Sequence, residues 1–381
     1  MLYHFLVPLS RQFKILNLFT YITFRAAGAA VTALLLAFVV GPLIIGWLRG
    51  SAVTQGVREG TPDSHAGKGH TPTMGGLIIL FACLLSTLLW ARLSSRYIWL
   101  AMAVTAAMGV IGLVDDVLKL RQKRAGEKNL GLVERYKLAG QVAIGLLLGL
   151  YVWQFPLAPD LPGASTTLPF FKYVLVVPIS AGFAWLYVAF TTFVLTGVSN
   201  AVNLTDGLDG LAAGLSAIAF ATFAAFAYAI GRVDWSHYLG LFYLANSGEL
   251  AVFCSAMAGA LLAFLWFNTH PAEIFMGDTG SLALGGGLGA VAILLKSEFL
   301  LVFIGGVFMC ETLSVMIQRS VFKYRRRRYG LEYARTHRVF LRAPIHHHFE
   351  MKGWPETQVV VRFWILGLLC AFLALATLKV R

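Results

Sequence analysis

Ten apolar runs punctuate the chain, at residues 26–48, 74–91, 97–114, 138–155, 173–194, 210–230, 249–267, 281–295, 299–318 and 359–378. A helix needs roughly 20 apolar residues to cross the hydrocarbon of a bilayer, and backbone at that depth must satisfy its own hydrogen bonds. The pattern therefore predicts an all-α, polytopic membrane protein with about ten transmembrane helices. A composition of 58% hydrophobic and only 13% charged residues agrees. The eighth run is short and carries Gly285, Gly286, Gly287 and Gly289, which suits close helix packing better than lipid contact.

Orientation follows from the basic residues in the connections, which favour the cytoplasmic side. With both termini outside, in the periplasm, the inner segments are 49–73, 115–137, 193–209, 268–280 and 319–358. They hold 3, 7, 0, 0 and 10 Lys or Arg, twenty in all, against ten on the other side. The last of these segments is the most hydrophilic and carries a basic cluster from Lys323 to Arg328. Phe5, Phe13, Lys14, Phe19, Tyr21, Phe24 and Arg25 mix aromatic and basic character before the first run, which predicts an interfacial helix rather than a cleaved signal peptide. Cys83, Cys254, Cys310 and Cys370 lie singly in apolar runs, without metal-ligand spacing, and read as packing residues. No soluble domain or linker interrupts the chain, so residues 1–381 form one integral-membrane domain.

Six carboxylates stand beside apolar runs: Asp115, Asp116, Asp206, Asp209, Asp278 and Glu311. Ionisable groups at the edge of hydrocarbon are expensive and mark functional sites. Hard divalent cations and the phosphates they hold are the partners that carboxylate and amide oxygens suit. All three aspartate sets fall on the inner side of the expected topology. Asp115 and Asp116 are expected to end the third span, where the negative helix terminus would add to their mutual repulsion. A bound cation would relieve that conflict; a solvated helix end neutralised by Lys119, Arg121 and Lys123 would do so equally. Asn200, Asn203, Asp206 and Asp209 recur at steps of three, as on one helix face. Gly207 and Gly210 suit a loop with one Asp as an N-cap, but four oxygen-bearing side chains exceed what a cap needs. Asp278 allows the same N-cap reading, although Asn268, His270, Phe275 and Gly277 make its surroundings richer. Residues 68–76 join Lys68, Thr71, Thr73 and glycines, a combination that can approach phosphate closely. His346, His347 and His348 cannot all face one ion in a regular element, and spaced zinc partners are missing; contact with phosphate or nucleotide fits better than zinc, and a solvated surface loop is the alternative that composition leaves open.

Together these segments resemble the phospho-N-acetylmuramoyl-pentapeptide transferase family, within the polyprenyl-phosphate N-acetylhexosamine-1-phosphate transferase superfamily. Residues 68–76, Val114-Asp115-Asp116, 200–210, 268–280 and 343–354 match its signature segments in order, and the similarity runs from residues 17–26 to the last span. The paired aspartates and the Asp278 loop are shared across the superfamily, whereas Pro344-Ile345-His346-His347-His348-Phe349-Glu350 is specific to the muramoyl-pentapeptide branch. The resemblance implies a ten-helix bacterial inner-membrane enzyme, often a homodimer, with a cytoplasmic active site formed by the five inner segments. It would transfer phospho-MurNAc-pentapeptide from its UDP conjugate to undecaprenyl phosphate, giving lipid I and UMP, the first membrane step of peptidoglycan synthesis; no nucleic-acid partner is implied. Mg²⁺ is the implied cofactor, with Asp278 as leading ligand, Asp115 and Asp116 as the other essential acids, and Asp115 as candidate base. Lys68, Thr73, Asn203, Asp206, Asp209, Asn268, Phe275, Gln318, His346, His347 and His348 would line the nucleotide and phosphate site. Between Gln318 and His346 the chain is longer than the family pattern, with extra residues within 325–337.

Two other readings share some of these features. A sister transferase using UDP-GlcNAc would keep the aspartate sets but lack the three histidines. A secondary transporter would also bury acids, yet near the bilayer midplane rather than at one face.

Overall fold

The structure is a computed structural model that describes residues 1–50, 71–125, 131–158, 161–171, 177–178 and 184–379. Short helix α1 (Leu2–Leu9) and a 3₁₀ segment (Lys14–Thr20) lead into α2 (Ile22–Gly50). The N-terminal segment leaves Phe5 and Phe13 exposed, as an interfacial element requires. Helices α3 (Gly76–Trp90), α4 (Arg96–Arg124) and α5 (Glu134–Gln154) follow, then a two-residue antiparallel pair, β1 (Ser165–Thr166) with β2 (Val177–Pro178). The remainder comprises α6 (Ala184–Thr205), α7 (Leu211–Ile230), α8 (Val233–Leu239), α9 (Glu249–Asn268), α10 (Gly277–Leu294), α11 (Glu298–Ile304), α12 (Gly306–Tyr329), α13 (Leu331–Thr336), α14 (Ile345–Met351) and α15 (Glu356–Ala376).

Among the described residues eight helices are long and apolar enough to span a bilayer: α2, α4, α5, α6, α7, α9, α10 and α15. The pair α11–α12, bent by 85°, is a broken ninth, and α3 is a shorter apolar helix. Each apolar run thus finds a helix, but four expected boundaries move. Helix α4 continues to Arg124, so Asp115 and Asp116 lie more than two turns inside it and the expected conflict with a helix terminus does not arise. The fifth helix begins at Ala184 rather than 173 and runs on to Thr205. Part of the apolar stretch before it pairs as β2, where Val and Pro favour extended backbone over helix. Asn200 and Asn203 therefore belong to α6 and not to a loop. The ninth run breaks at the Gly305-Gly306 pair, a usual site of sharp bends. Its second half extends to Tyr329, eleven residues beyond the expected end at 318.

Helix α10 is the centre of the bundle. Every one of its residues is buried except Asp278. The glycines expected to favour close packing do so: a Cβ on Gly285 would lie 2.5 Å from Ser199 Cα of α6, and one on Gly286 would lie 2.5 Å from Met108 Cγ of α4. At the end of the bundle away from Asp278, two buried polar networks fix the connections. Arg25 of α2 donates to both oxygens of Glu249 at 2.6 Å, and Arg92 N donates to Glu249 Oε2 at 2.9 Å. Lys296 donates to Gly163 O at 2.6 Å and to Tyr187 Oη at 3.0 Å. Tyr187 and Thr166 in turn donate to Glu298 at 2.9 and 2.6 Å.

Candidate active site

The N-terminus of α10 and the middle of α4 meet where Gly112 removes a side chain. A Cβ there would stand 2.1 Å from Asp278 O. One turn later, Asp116 accepts hydrogen bonds from Asp278 N (3.2 Å), Thr279 N (2.9 Å) and Thr279 Oγ1 (2.7 Å). Asp116 thus caps α10 from a neighbouring helix, supplying the acceptor that its first N–H groups lack. Asp278 is not the N-cap: it is the second residue of α10, after Gly277 in the left-handed region at φ +72°. Its carboxylate is free to point out of the helix.

Asp115, Asp116 and Asp278 each bring a carboxylate oxygen within 4.8 Å of the others. Two lysines keep this cluster together. Lys119 Nζ lies 2.7 Å from Asp115 Oδ2, 3.1 Å from Asp278 Oδ2 and 3.9 Å from Asp116 Oδ1. Lys137 of α5 pairs with Asp278 and lies 3.6 Å from Asp115 Oδ2. Asp115 Oδ1 also accepts from Leu132 N at 2.6 Å. Asn203 of α6 completes the ring, donating to Asp278 Oδ1 at 3.0 Å and to Ser281 Oγ at 2.8 Å. Four helices, α4, α5, α6 and α10, therefore converge on one carboxylate. The all-oxygen donor set fits a hard divalent cation such as Mg²⁺. Within it, both Asp116 oxygens are held by donors of α10, whereas Asp115 Oδ2 and Asp278 Oδ2 face the ammonium groups of Lys119 and Lys137.

A second group adjoins the first through the end of α6. Asp206 follows that helix, half-buried in the turn that leads to α7. Asp209 Oδ2 lies 3.0 Å from His270 Nδ1 and accepts from Ala272 N at 3.3 Å, while Asp209 N donates to Glu356 Oε1 at 2.8 Å. Asn268 holds the turn from beneath: its Oδ1 accepts from Gly210 N at 3.0 Å and its Nδ2 donates to Ile274 O at 2.8 Å. Phe275, half-buried, pairs through its backbone with Pro72 O and Gly75 N, both at 2.8 Å. That pairing sets buried Thr73 beside Gly277, whose Cβ, if present, would be 2.8 Å from Thr73 Oγ1. Lys68 lies outside the described residues.

The three histidines on α14 diverge, as the sequence requires. His346 is fully buried, with Nδ1 3.1 Å from the equally buried Glu311 Oε2. Its Nε2 faces Gly207, where a Cβ would be 2.4 Å away. His347 Nδ1 lies 2.6 Å from Glu350 Oε2, and burial lowers the pKa of this imidazole although Glu350 opposes the shift. His348 Nδ1 accepts from Leu341 N at 3.1 Å. Gln318 Nε2 donates to Phe340 O and its Oε1 accepts from Phe340 N, both at 3.0 Å. That amide braces the long segment before α14. Asn200 turns instead to Gln141 of α5, at 2.9 Å.

Sequence reasoning missed Lys137, Thr279, Ser281 and Glu356, and met Lys119 only as a helix-end neutraliser. Lys119 is four residues after Asp115, a legible spacing; the others are brought in by tertiary contacts that carry no local signal.

This arrangement finds counterparts along the whole chain. The family model for glycosyl transferase family 4 matches residues 98–296, which include both paired aspartates, the α6 asparagines and Asp278. The chain is 69% identical to the phospho-N-acetylmuramoyl-pentapeptide-transferase of Gemmatimonas aurantiaca, 48% to that of Desulfotalea psychrophila and 46% to that of Chlorobium chlorochromatii, each over 100% of both chains. With no part of either chain left unmatched, this multi-pass membrane protein belongs to the phospho-N-acetylmuramoyl-pentapeptide transferase family.

Proposed function

We propose that the protein transfers phospho-MurNAc-pentapeptide from UDP-MurNAc-pentapeptide to undecaprenyl phosphate, in a Mg²⁺-dependent reaction at the cytoplasmic face of a bacterial inner membrane. The observation that carries this reading is the convergence of Asp115, Asp116 and Asp278 with Lys119 and Lys137 at one end of the bundle. One reactant is confined to the bilayer and the other to water, so they can meet only at such a boundary. The basic bias of the inner segments supports a cytoplasmic site and periplasmic termini. The homodimer rests on the family resemblance alone.

Phosphoryl transfer depends on positioning and charge stabilisation more than on covalent help from the protein. An oxygen of the lipid phosphate attacks the β-phosphorus of the UDP conjugate. A new P–O bond forms, the bond from that phosphorus to the bridging oxygen breaks, and UMP leaves with that oxygen. Asp278 and Asp115 would hold Mg²⁺, which when bound would offset charge on the phosphoryl oxygens. Asp116 fixes the start of α10 and so sets the direction of Asp278. Lys119 and Lys137 keep the carboxylates from repelling anionic reactants. Asp115 is also placed to take a proton from the acceptor, a modest task because the second phosphate ionisation is near pKa ~6. Lys68, Thr73, Asn203, Asp206, Asp209, Asn268 and Phe275 would define the nucleotide side. Gln318 and His346, His347 and His348 would close it from α12 and α14.

Donor labelled with ³²P in its β-phosphate tests this directly. The label should pass into the organic-soluble lipid while unlabelled UMP appears in water at equal rate. Label remaining in the aqueous phase, or free phosphate as product, would overturn the proposal.

A further inference from the structure

One stripe of α12 changes character along its length. Met309, Leu313 and Met316 are exposed on successive turns. The same spacing of four and three continues through Ser320 to Lys323 and Arg327. Residues three and four apart share a helix face, so the face that would meet acyl chains in the first half of α12 carries cations in the second. At 1.5 Å per residue, Met316 and Lys323 are roughly 10 Å apart along the axis, about enough to cross one headgroup layer. Tyr324 and Tyr329 are 55% and 54% exposed beside these cations, and such amphipathic rings favour the headgroup level. Lys323, Arg326 and Arg327 are themselves exposed. Across residues 319–342 there are nine Lys or Arg against the single acid Glu332.

We propose that the second half of α12 binds the headgroups of anionic phospholipids, of phosphatidylglycerol type, in the leaflet beside it. The continuous passage from thioether and alkyl side chains to ammonium and guanidinium groups matches a lipid, with its tails and its phosphate diester, better than a soluble anion. None of these stripe residues is among the described partners of the aspartate cluster, so headgroup binding can be assayed apart from phosphosugar transfer. The inference rests on the membrane-spanning reading of the chain and not on its reaction.

Full-length protein in neutral detergent, titrated with a fluorescent phosphatidylglycerol and in parallel with the matching phosphatidylcholine, tests the proposal. At low salt the wild type is expected to bind phosphatidylglycerol at least tenfold more tightly. Each Lys or Arg near an anionic surface is worth about fivefold in affinity. Lys323→Gln/Arg326→Gln/Arg327→Gln should therefore weaken phosphatidylglycerol binding by up to about a hundredfold and leave phosphatidylcholine unchanged. Lys323→Arg/Arg326→Lys/Arg327→Lys, which keeps the charge, should bind as the wild type does. Equal affinity of the wild type for both lipids, an unchanged preference in the triple Gln variant, or complete displacement by millimolar inorganic phosphate would each overturn it. UMP release measured on the same samples separates loss of lipid binding from loss of the reaction.

Discussion

Asp116→Asn is the substitution on which two accounts of the carboxylate cluster differ in sign. If Asp116 served only as one of three crowded acids, removing its charge would relieve repulsion and stabilise the metal-free protein. The structure predicts the reverse. Asp116 accepts from Asp278 N, Thr279 N and Thr279 Oγ1 at 3.2, 2.9 and 2.7 Å, and it is 3% exposed. Hydrogen bonds to a charged group contribute about 1.5–3 kcal/mol each, and a buried donor left without a partner costs a comparable amount. An amide keeps one acceptor oxygen but turns an NH₂ toward the remaining N–H. The net loss should be about 2–4 kcal/mol, or one to two bonds. Equilibrium unfolding of purified protein in mixed detergent micelles, without divalent cation, measures it. Unchanged or higher stability for Asp116→Asn would refute the capping role.

Asp278→Asn should nearly abolish turnover while leaving the protein folded, since its partners Lys119 and Lys137 also engage Asp115; near-normal Mg²⁺-dependent UMP release would remove Asp278 from the reaction. Arg25→Ala leaves Glu249 buried without its bidentate partner and should cost about 3–5 kcal/mol of stability with the active-site end untouched. A variant as stable as wild type by micellar unfolding would contradict this. Burial lowers the folded pKa of His347 below 6.5, so the unfolded chain takes up its proton first as pH falls. Stability should be flat above pH ~6.5, decline below it, and level off beneath the folded pKa. His347→Gln should remove that component of the pH dependence; an identical profile in the variant would mean that His347 does not titrate differently in the two states.

The helices were legible because hydropathy measures what a bilayer demands, and all ten apolar runs contain one. Their ends were less so. Asp115 and Asp116 are polar, yet α4 continues past them because α10 and Lys137 supply partners that a local reading cannot see. Residues 173–183 are as apolar as a span in sequence, but the described pair Val177–Pro178 within them is extended and pairs with β1. The central place of α10 was readable in its glycines, since a helix without side chains on that face gains nothing from lipid. The aspartate sets were readable as a group because the expected topology puts them on one side, and the structure brings Asp115, Asp116 and Asp278 together. Glu311 illustrates the limit: its sequence position marked it as costly, but only the fold sets it against His346.

Donor choice tests the central claim most directly. Purified protein with undecaprenyl phosphate and Mg²⁺ is supplied with UDP-MurNAc-pentapeptide or with UDP-GlcNAc, and UMP release is followed before and after chelation. The account predicts UMP and a lipid-linked product from the pentapeptide donor alone, lost on chelation and restored by Mg²⁺. Efficient turnover of UDP-GlcNAc, or full activity in excess chelator, would contradict it.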